Sequence, residues 1–414
     1  EIVYEERQVW SRCRARVLDL HPLTSTDMRA LPNAVFALVA LCVTLHSASA
    51  LVVETTQVLV DGLAVPRVIV KQDALFEYYC TGTCPPARND TDPLGRVGSS
   101  KGKGGTVLMG GGTDVDEAFN WMGIQSAGAG LLVLRTGPKG DDAYDEYIYK
   151  LGGHAYVATL ILLQRNASFL DFTAAALVNC SAVFLAGGDQ STYWRQWVGT
   201  PVQLGIQECV SRGCPVGGTS AGEAMLSGIV NAALAVESPD SQEALQNPFA
   251  PDITLRPRFL QLPYTALTVN DMHFAQRDRN GRLLAFMART ARRDMTMLEM
   301  AATGYPTVYG VGVDEKTALL VNWDTGSASI VGSGSAYMLR LDGDTPRECV
   351  EDEPLSIDRL TAYRLDAATG GSFDFSSWNG TGGVSYSYGL VRGQYVGTPY
   401  GPQRHLVGER ATVV

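Results

Sequence analysis

CPVGGTSAGEAML, residues 214–226, is the stretch on which the reading of this chain turns. A short apolar approach, Cys214–Val216, runs into a glycine pair and then a serine flanked by small residues. Gly218-Thr219-Ser220-Ala221-Gly222 has the G-x-S-x-G spacing of a nucleophile elbow, a sharp turn from strand to helix. Such a turn pushes the serine into a cleft and leaves no room for side chains on its neighbours. The helix behind it aims free N–H groups at a developing oxyanion. Ala221, together with Gly188 at the end of an earlier apolar run, is the expected donor pair. The bland alternative is a chain that uses small residues to turn a corner. Placement directly after an apolar strand favours the elbow.

The same grammar recurs along the chain. Apolar runs at Thr106–Met109, Leu131–Thr136, Ala182–Gly188 and Tyr309–Val321 end at or near glycines or polar turns, and helix-like segments follow several of them. That alternation predicts an α/β domain with a mostly parallel sheet covered by helices on both faces, over 104–345. Residues 51–103 read as a small β-rich extension with a linker, and 346–414 as a β-rich appendage.

The chain has 414 residues, 45% of them hydrophobic and 18% charged, enough for a large core. Its net charge of −10 argues against a nucleic-acid binder, which needs a basic face. From Met28 a basic residue, an apolar stretch and Ala48-Ser49-Ala50 have the anatomy of a secretory signal peptide cleaved after Ala50. Residues 1–27 read as preceding the true start. The apolar run is short for a membrane span, so no stable membrane anchor is expected. Export implies an extracellular or secretory-lumen location and disulfides among the six later cysteines, with Cys80–Cys84 and Cys209–Cys214 as local pairs. No histidine stands at ligand spacing from either pair, so neither a metal nor a cofactor is expected. Asn89, Asn166, Asn179 and Asn379 begin glycosylation sequons.

A serine nucleophile needs a base, and only His154, His273 and His405 follow residue 50. His154, after two glycines and before an apolar stretch, reads as structural. His405 lies in a Pro/Gly-rich tail. His273 stands at an apolar strand end beside Arg277, Arg279 and Arg282, and is the expected base. A carboxylate should then hold the imidazole tautomer. Asp314-Glu315 follows a glycine-punctuated strand whose alternation turns only one of the two acids to the cleft.

Four separated stretches resemble the cyanophycinase family of serine peptidases, which includes aspartyl dipeptidases. They are Ala186-Gly-Gly-Asp-Gln190, Gly217-Gly-Thr-Ser-Ala-Gly222, Asp271-x-His-Phe-x-Gln-Arg-x-Arg-x-x-Arg282 and Gly310-Val-Gly-Val-Asp-Glu315. They fall within residues 104–330 in the family's order. The resemblance implies a flavodoxin-like, class I glutamine-amidotransferase-like fold and a triad of Ser220, His273 and Glu315. It implies that Gln190 and Asp271 line the substrate site, and that substrates are peptides with aspartate at the cleavage point. Arg277, Arg279 and Arg282 suit the carboxylates of such a substrate, since guanidinium forks bind them in bidentate fashion. The alternative is local pairing with surface acids.

Two positions depart from the family pattern. Met272 stands where Gln is usual, losing amide hydrogen bonds beside the base. Glu223 stands where Ala is usual, adding an acid to the first helical turn. Two rival readings stay open: a lipase- or esterase-like hydrolase pairing Ser220 with His405, and a non-catalytic secreted binding protein. Met109–Thr113 lacks the G-K-[ST] and the third glycine of nucleotide-binding loops. A homodimer is left open.

Overall fold

The structure is a computed structural model that describes residues 51–72, 74–85, 102–137, 144–235, 238–291 and 307–402. The expected signal peptide, the segment before it, Asn89 and His405 lie outside the described residues.

The described residues form two main sheets. The first has the order β1-β2-β3-β6-β5-β7-β8-β4-β13-β14-β18-β19. Its strands are β1 (Leu51–Val60), β2 (Leu63–Gln72), β3 (Phe76–Gly82), β4 (Gly105–Met109), β5 (Leu131–Thr136) and β6 (Tyr156–Leu162). They continue with β7 (Ala182–Leu185), β8 (Val216–Thr219), β13 (Thr317–Asn322), β14 (Ser327–Gly332), β18 (Ser372–Asp374) and β19 (Asn379–Thr381). The second sheet holds β11 (Thr268–Asp271), β12 (Val308–Val313), β15 (Ser335–Leu341), β16 (Arg347–Glu348), β17 (Ser356–Asp366), β20 (Val384–Val391) and β21 (Gln394–Val396). A ribbon of β9 (Ile229–Asn231) and β10 (Leu255–Pro257) stands apart.

Helices cover both faces of the first sheet because its strands alternate. Leu108, Leu132, Leu134, Val183 and Leu185 pack with Leu177, Trp197 and Ile206 from helices Asp171–Asn179, Gln190–Trp197 and Pro201–Ser211. The intervening Val107, Met109, Leu131, Val133 and Phe184 pack with Phe119, Met122 and Ile148 from helices Asp116–Gln125 and Tyr144–Leu151. This is the α/β arrangement that the strand-and-glycine grammar predicts.

Three expectations are corrected. Parallel pairing is confined to the middle of the sheet, β6-β5-β7-β8-β4, and antiparallel strands flank it on both sides. Hairpins account for much of the flanks, as in Asp61-Gly62, whose positive φ values of 50° and 79° let two residues join β1 to β2. Taken in chain order, the five parallel strands run third, second, fourth, fifth, first, which is not the 2-1-3-4-5 order of flavodoxin. The terminal β-rich stretches are also more than appendages. β3 hydrogen-bonds to β6, β17, β20 and β21 build the second sheet, and β18 and β19 extend the first.

The second sheet has its own core. Leu283, Phe286 and Met287 of helix Asn280–Thr290 pack with Val269, Val308, Leu339 and Tyr388. β12 belongs to this sheet and β13 to the first, so the turn Asp314–Lys316 links them. The carboxyl ends of β4, β8, β11 and β12 come together there, and in α/β proteins such ends are where ligands bind.

Candidate active site

Ser220 directly follows β8 with φ 52° and ψ −120°, and helix Ala221–Ala224 begins after it. A non-glycine residue in that region costs roughly 1–3 kcal/mol and persists only where its surroundings enforce it. Here the Ser220 N–H donates to Met109 O at 3.0 Å. Both elbow glycines are sterically required. A Cβ on Gly218 would come within 2.5 Å of the Gly222 carbonyl, and one on Gly222 within 2.0 Å of Leu185 O.

His273, two residues beyond the end of β11, also has a positive φ, 49°, and donates its N–H to Gly110 O at 2.7 Å. Its Nε2 lies 2.8 Å from Ser220 Oγ and its Nδ1 lies 2.7 Å from Glu315 Oε1. Glu315 accepts from Nδ1, which leaves the Nε2 lone pair facing the serine. Burial pushes the His273 pKa down, the Glu315 hydrogen bond pulls it up, and Arg277 and Arg279 push it down; the net result is below the ordinary 6.5. A neutral imidazole at pH 7 is what a general base requires. Asp314 turns away and accepts N–H groups from Ala275 at 2.9 Å and Ser335 at 3.0 Å. The carboxylate at the histidine is therefore Glu315.

Two supports escape the sequence reading. Gly110–Gly112 form the bed of the relay. A Cβ on Gly111 would come within 2.4 Å of the His273 ring, and one on Gly112 within 3.2 Å of Glu315. Three glycines at one strand end exceed the needs of an ordinary turn, and that excess was the available signal. Gln276 is the second: its Oε1 accepts the Glu315 N–H at 2.9 Å.

Ser220 and His273 open onto a cavity of about 320 Å³, also lined by Gly188, Gln190, Met272, Arg277, Arg279 and Arg282. The loop carrying Gly188 runs beside the serine, since a Cβ on Gly187 would lie 3.7 Å from Ser220 Cβ. Ala221 opens the helix after the serine, where N–H groups lack intrahelical partners.

The three arginines play different parts. Arg282 is buried and grips Asp271 with Nε–Oδ2 2.7 Å and Nη2–Oδ1 2.6 Å, while Nη1 donates to Ser238 Oγ at 3.0 Å. Asp271 and Arg282 thus satisfy one another, with Arg282 still on the cavity wall. Arg279 donates to Met272 O at 3.0 Å and lies 3.6 Å from Asp271. Burial lowers its pKa to about 10, which leaves it cationic at neutral pH. Arg277 is the most exposed of the three, with Nε 3.8 Å from Glu315 Oε1. Beneath the elbow, Glu223 is fully buried and neither carboxyl oxygen has a hydrogen-bond partner. Burial, then Asp271, push its pKa well above the ordinary carboxylate value, against the pull of Arg279.

His154 is away from the site, bridging Ala129 O and Phe119 O at 3.3 and 3.2 Å, in keeping with its structural reading. Cys80–Cys84 and Cys209–Cys214 stand at disulfide distance, and Cys180 and Cys349 are buried. Among the described residues no helix is long and apolar enough to cross a membrane, and no group of three or more ligating side chains could hold a metal.

No family model matches the chain. The cyanophycinase of Trichormus variabilis is 27% identical over 222 residues, spanning 53% of this chain and 65% of that relative. The cyanophycinase of Synechococcus elongatus is 29% identical over 227 residues, spanning 53% of this chain and 61% of the relative. The chain thus matches less than two thirds of either relative's length. A solved peptidase from an acI-B1 Actinobacterium overlays 60% of this chain and 96% of its own at 17% identity. Its TM-score of 0.37 is too low for the overlay to bear on function.

Proposed function

We propose that this chain, a relative of the cyanophycinases, is a serine-type peptidase that cleaves aspartyl or β-aspartyl peptides. The observation that carries the proposal is the hydrogen-bonded line Ser220–His273–Glu315, at 2.8 and 2.7 Å, with its serine on a strained strand-to-helix elbow. In this reading Ser220 Oγ attacks the scissile carbonyl while His273 Nε2 takes its proton. The C–N bond breaks as that proton passes to the leaving nitrogen. Water then hydrolyses the acyl-enzyme by the same route. Glu315 stabilises the transient imidazolium, and the N–H groups of Ala221 and Gly188 stabilise the oxyanion. The scaffold proposed is the glutamine-amidotransferase type.

Arg277 and Arg279 supply the positive charge that would take a substrate carboxylate, with Gln190 on the cavity wall. Arg282, held by Asp271, contributes through the rigidity of the wall. An esterase reading shares the nucleophile and separates on substrate. Purified protein should hydrolyse cyanophycin, β-aspartyl dipeptides or α-aspartyl dipeptides in preference to short-chain esters. Faster turnover of esters, or no hydrolysis of any of them, would overturn the assignment.

We also propose export. The apolar 28–50 stretch, the two cysteine pairs, and the exposed sequon residues Asn166 and Asn379 support it. Mass spectrometry of the secreted protein should find a start near Leu51 and fewer than six free thiols among the later cysteines. A retained N-terminus with every thiol reduced would end this proposal.

A further inference from the structure

β1 is an edge strand of ten residues, LVVETTQVLV, and among the described residues no strand pairs with its outer side. Natural edges are guarded by lysine, proline, bulges or short length. This one pairs without a bulge along its whole length with β2 and carries a single charge, Glu54. Val52, Val53 and Leu59 are 49%, 52% and 69% exposed.

Half of the hairpin also lacks support. β2 pairs with β3 only from Arg67 to Gln72, so the β1 residues opposite that segment are Leu51–Thr56. Gln57–Val60 and Leu63–Pro66 run past β3 as a two-stranded ribbon, with Leu63 at 71% exposure. A lone two-stranded ribbon is marginal in water.

We infer that the β1 edges of two copies pair antiparallel about a two-fold axis through Thr55, joining two sheets into one. In an antiparallel ladder, opposed residues share one hydrogen-bonding class, so the dyad must pass through a residue facing its own copy. Centred on Thr55, the strand is its own complement. Leu51 faces Leu59, Val52 faces Val58, Val53 faces Gln57, Glu54 faces Thr56, and Thr55 faces Thr55 of the second copy. The only charge never opposes itself, and two apolar pairs close each end. Centring on Thr56 would set Glu54 against Val58. The Thr55 register also lays the unsupported Gln57–Leu59 of each ribbon along Leu51–Val53 of the other copy, where β3 backs the hairpin.

The test is light scattering on size-exclusion chromatography of the purified full chain and of two variants at the exposed Thr55. Wild type should elute at twice the chain mass. Thr55→Lys and Thr55→Glu should each elute at the single-chain mass, because each sets like charges on the dyad. An equimolar mixture of the two should recover the doubled mass, with unchanged circular dichroism throughout. A monomeric or larger polymeric wild type would overturn the inference. So would a dimer that survives Thr55→Lys, or a mixture that stays monomeric.

Discussion

Asp271 and Arg282 hold each other through two hydrogen bonds of 2.6 and 2.7 Å, and Arg282 lines the cavity together with Arg279. Both side chains are almost wholly buried, and Asp271 also accepts the Met272 N–H at 3.1 Å. Removing one partner of such a pair strands a buried charge and costs about 3–5 kcal/mol. Asp271→Ala should therefore lower Tm and activity together. A variant with unchanged Tm and a selective rise in KM would show that Asp271 contacts substrate instead.

Glu223 predicts an unusual pH dependence of stability. Its folded pKa is raised above the unfolded value near 4.5, so the native state holds the proton more tightly. The stability it contributes is complete below that value and is lost as pH rises through the folded pKa. Glu223→Gln, which mimics the protonated form, should gain on the order of 1–3 kcal/mol at pH 8 and little at pH 4. Equal effects in thermal melts at both pH values would contradict this.

The elbow was legible because its constraints are local: two glycines, a serine and a strand lie within a few residues. The choice of Glu315 over Asp314 was only half legible. Alternation separated the two acids, and the resemblance chose between them. Distant pairing was hidden. Arg282 reads as a substrate cation until the fold brings Asp271 against it, and Gly110–Gly112 mark only the end of an apolar run until His273 arrives from another sheet. The strand order was equally out of reach, since β3 and β13 join the parallel core only through non-local pairing.

On the proposed function, Met272 should bear on specificity. Its side chain lines the cavity beside the base, where an amide could hydrogen-bond a polar group and a thioether offers only soft contact. An unmatched buried polar group costs about 1–3 kcal/mol. Met272→Gln should raise kcat/KM on cyanophycin or β-Asp-Arg roughly tenfold while lowering it on the best native substrate. Parallel measurement of both ratios decides the matter; a wild type that already cleaves cyanophycin well and a variant that gains nothing would remove position 272 from specificity.

The pH profile should carry the imprint of Arg277. His273 must be neutral to act as base, so kcat/KM rises with pH through its pKa, which lies below 6.5. Arg277 is one of the charges holding that pKa down. Arg277→Ala should shift the acid limb to higher pH at low salt, and less so at high salt, because the side chain is largely solvated. A shift to lower pH would contradict the assigned coupling.

The central claim is that Ser220 and His273 act as one unit with Glu315. The most direct test is kcat on the best aspartyl substrate for Ser220→Ala, His273→Ala and the double variant. Each single change should lower kcat by about 10⁴-fold or more, and the double variant should be little worse than either, since both remove the same step. Losses that multiply in the double variant, or a Ser220→Ala protein that keeps most of its activity, would contradict the account.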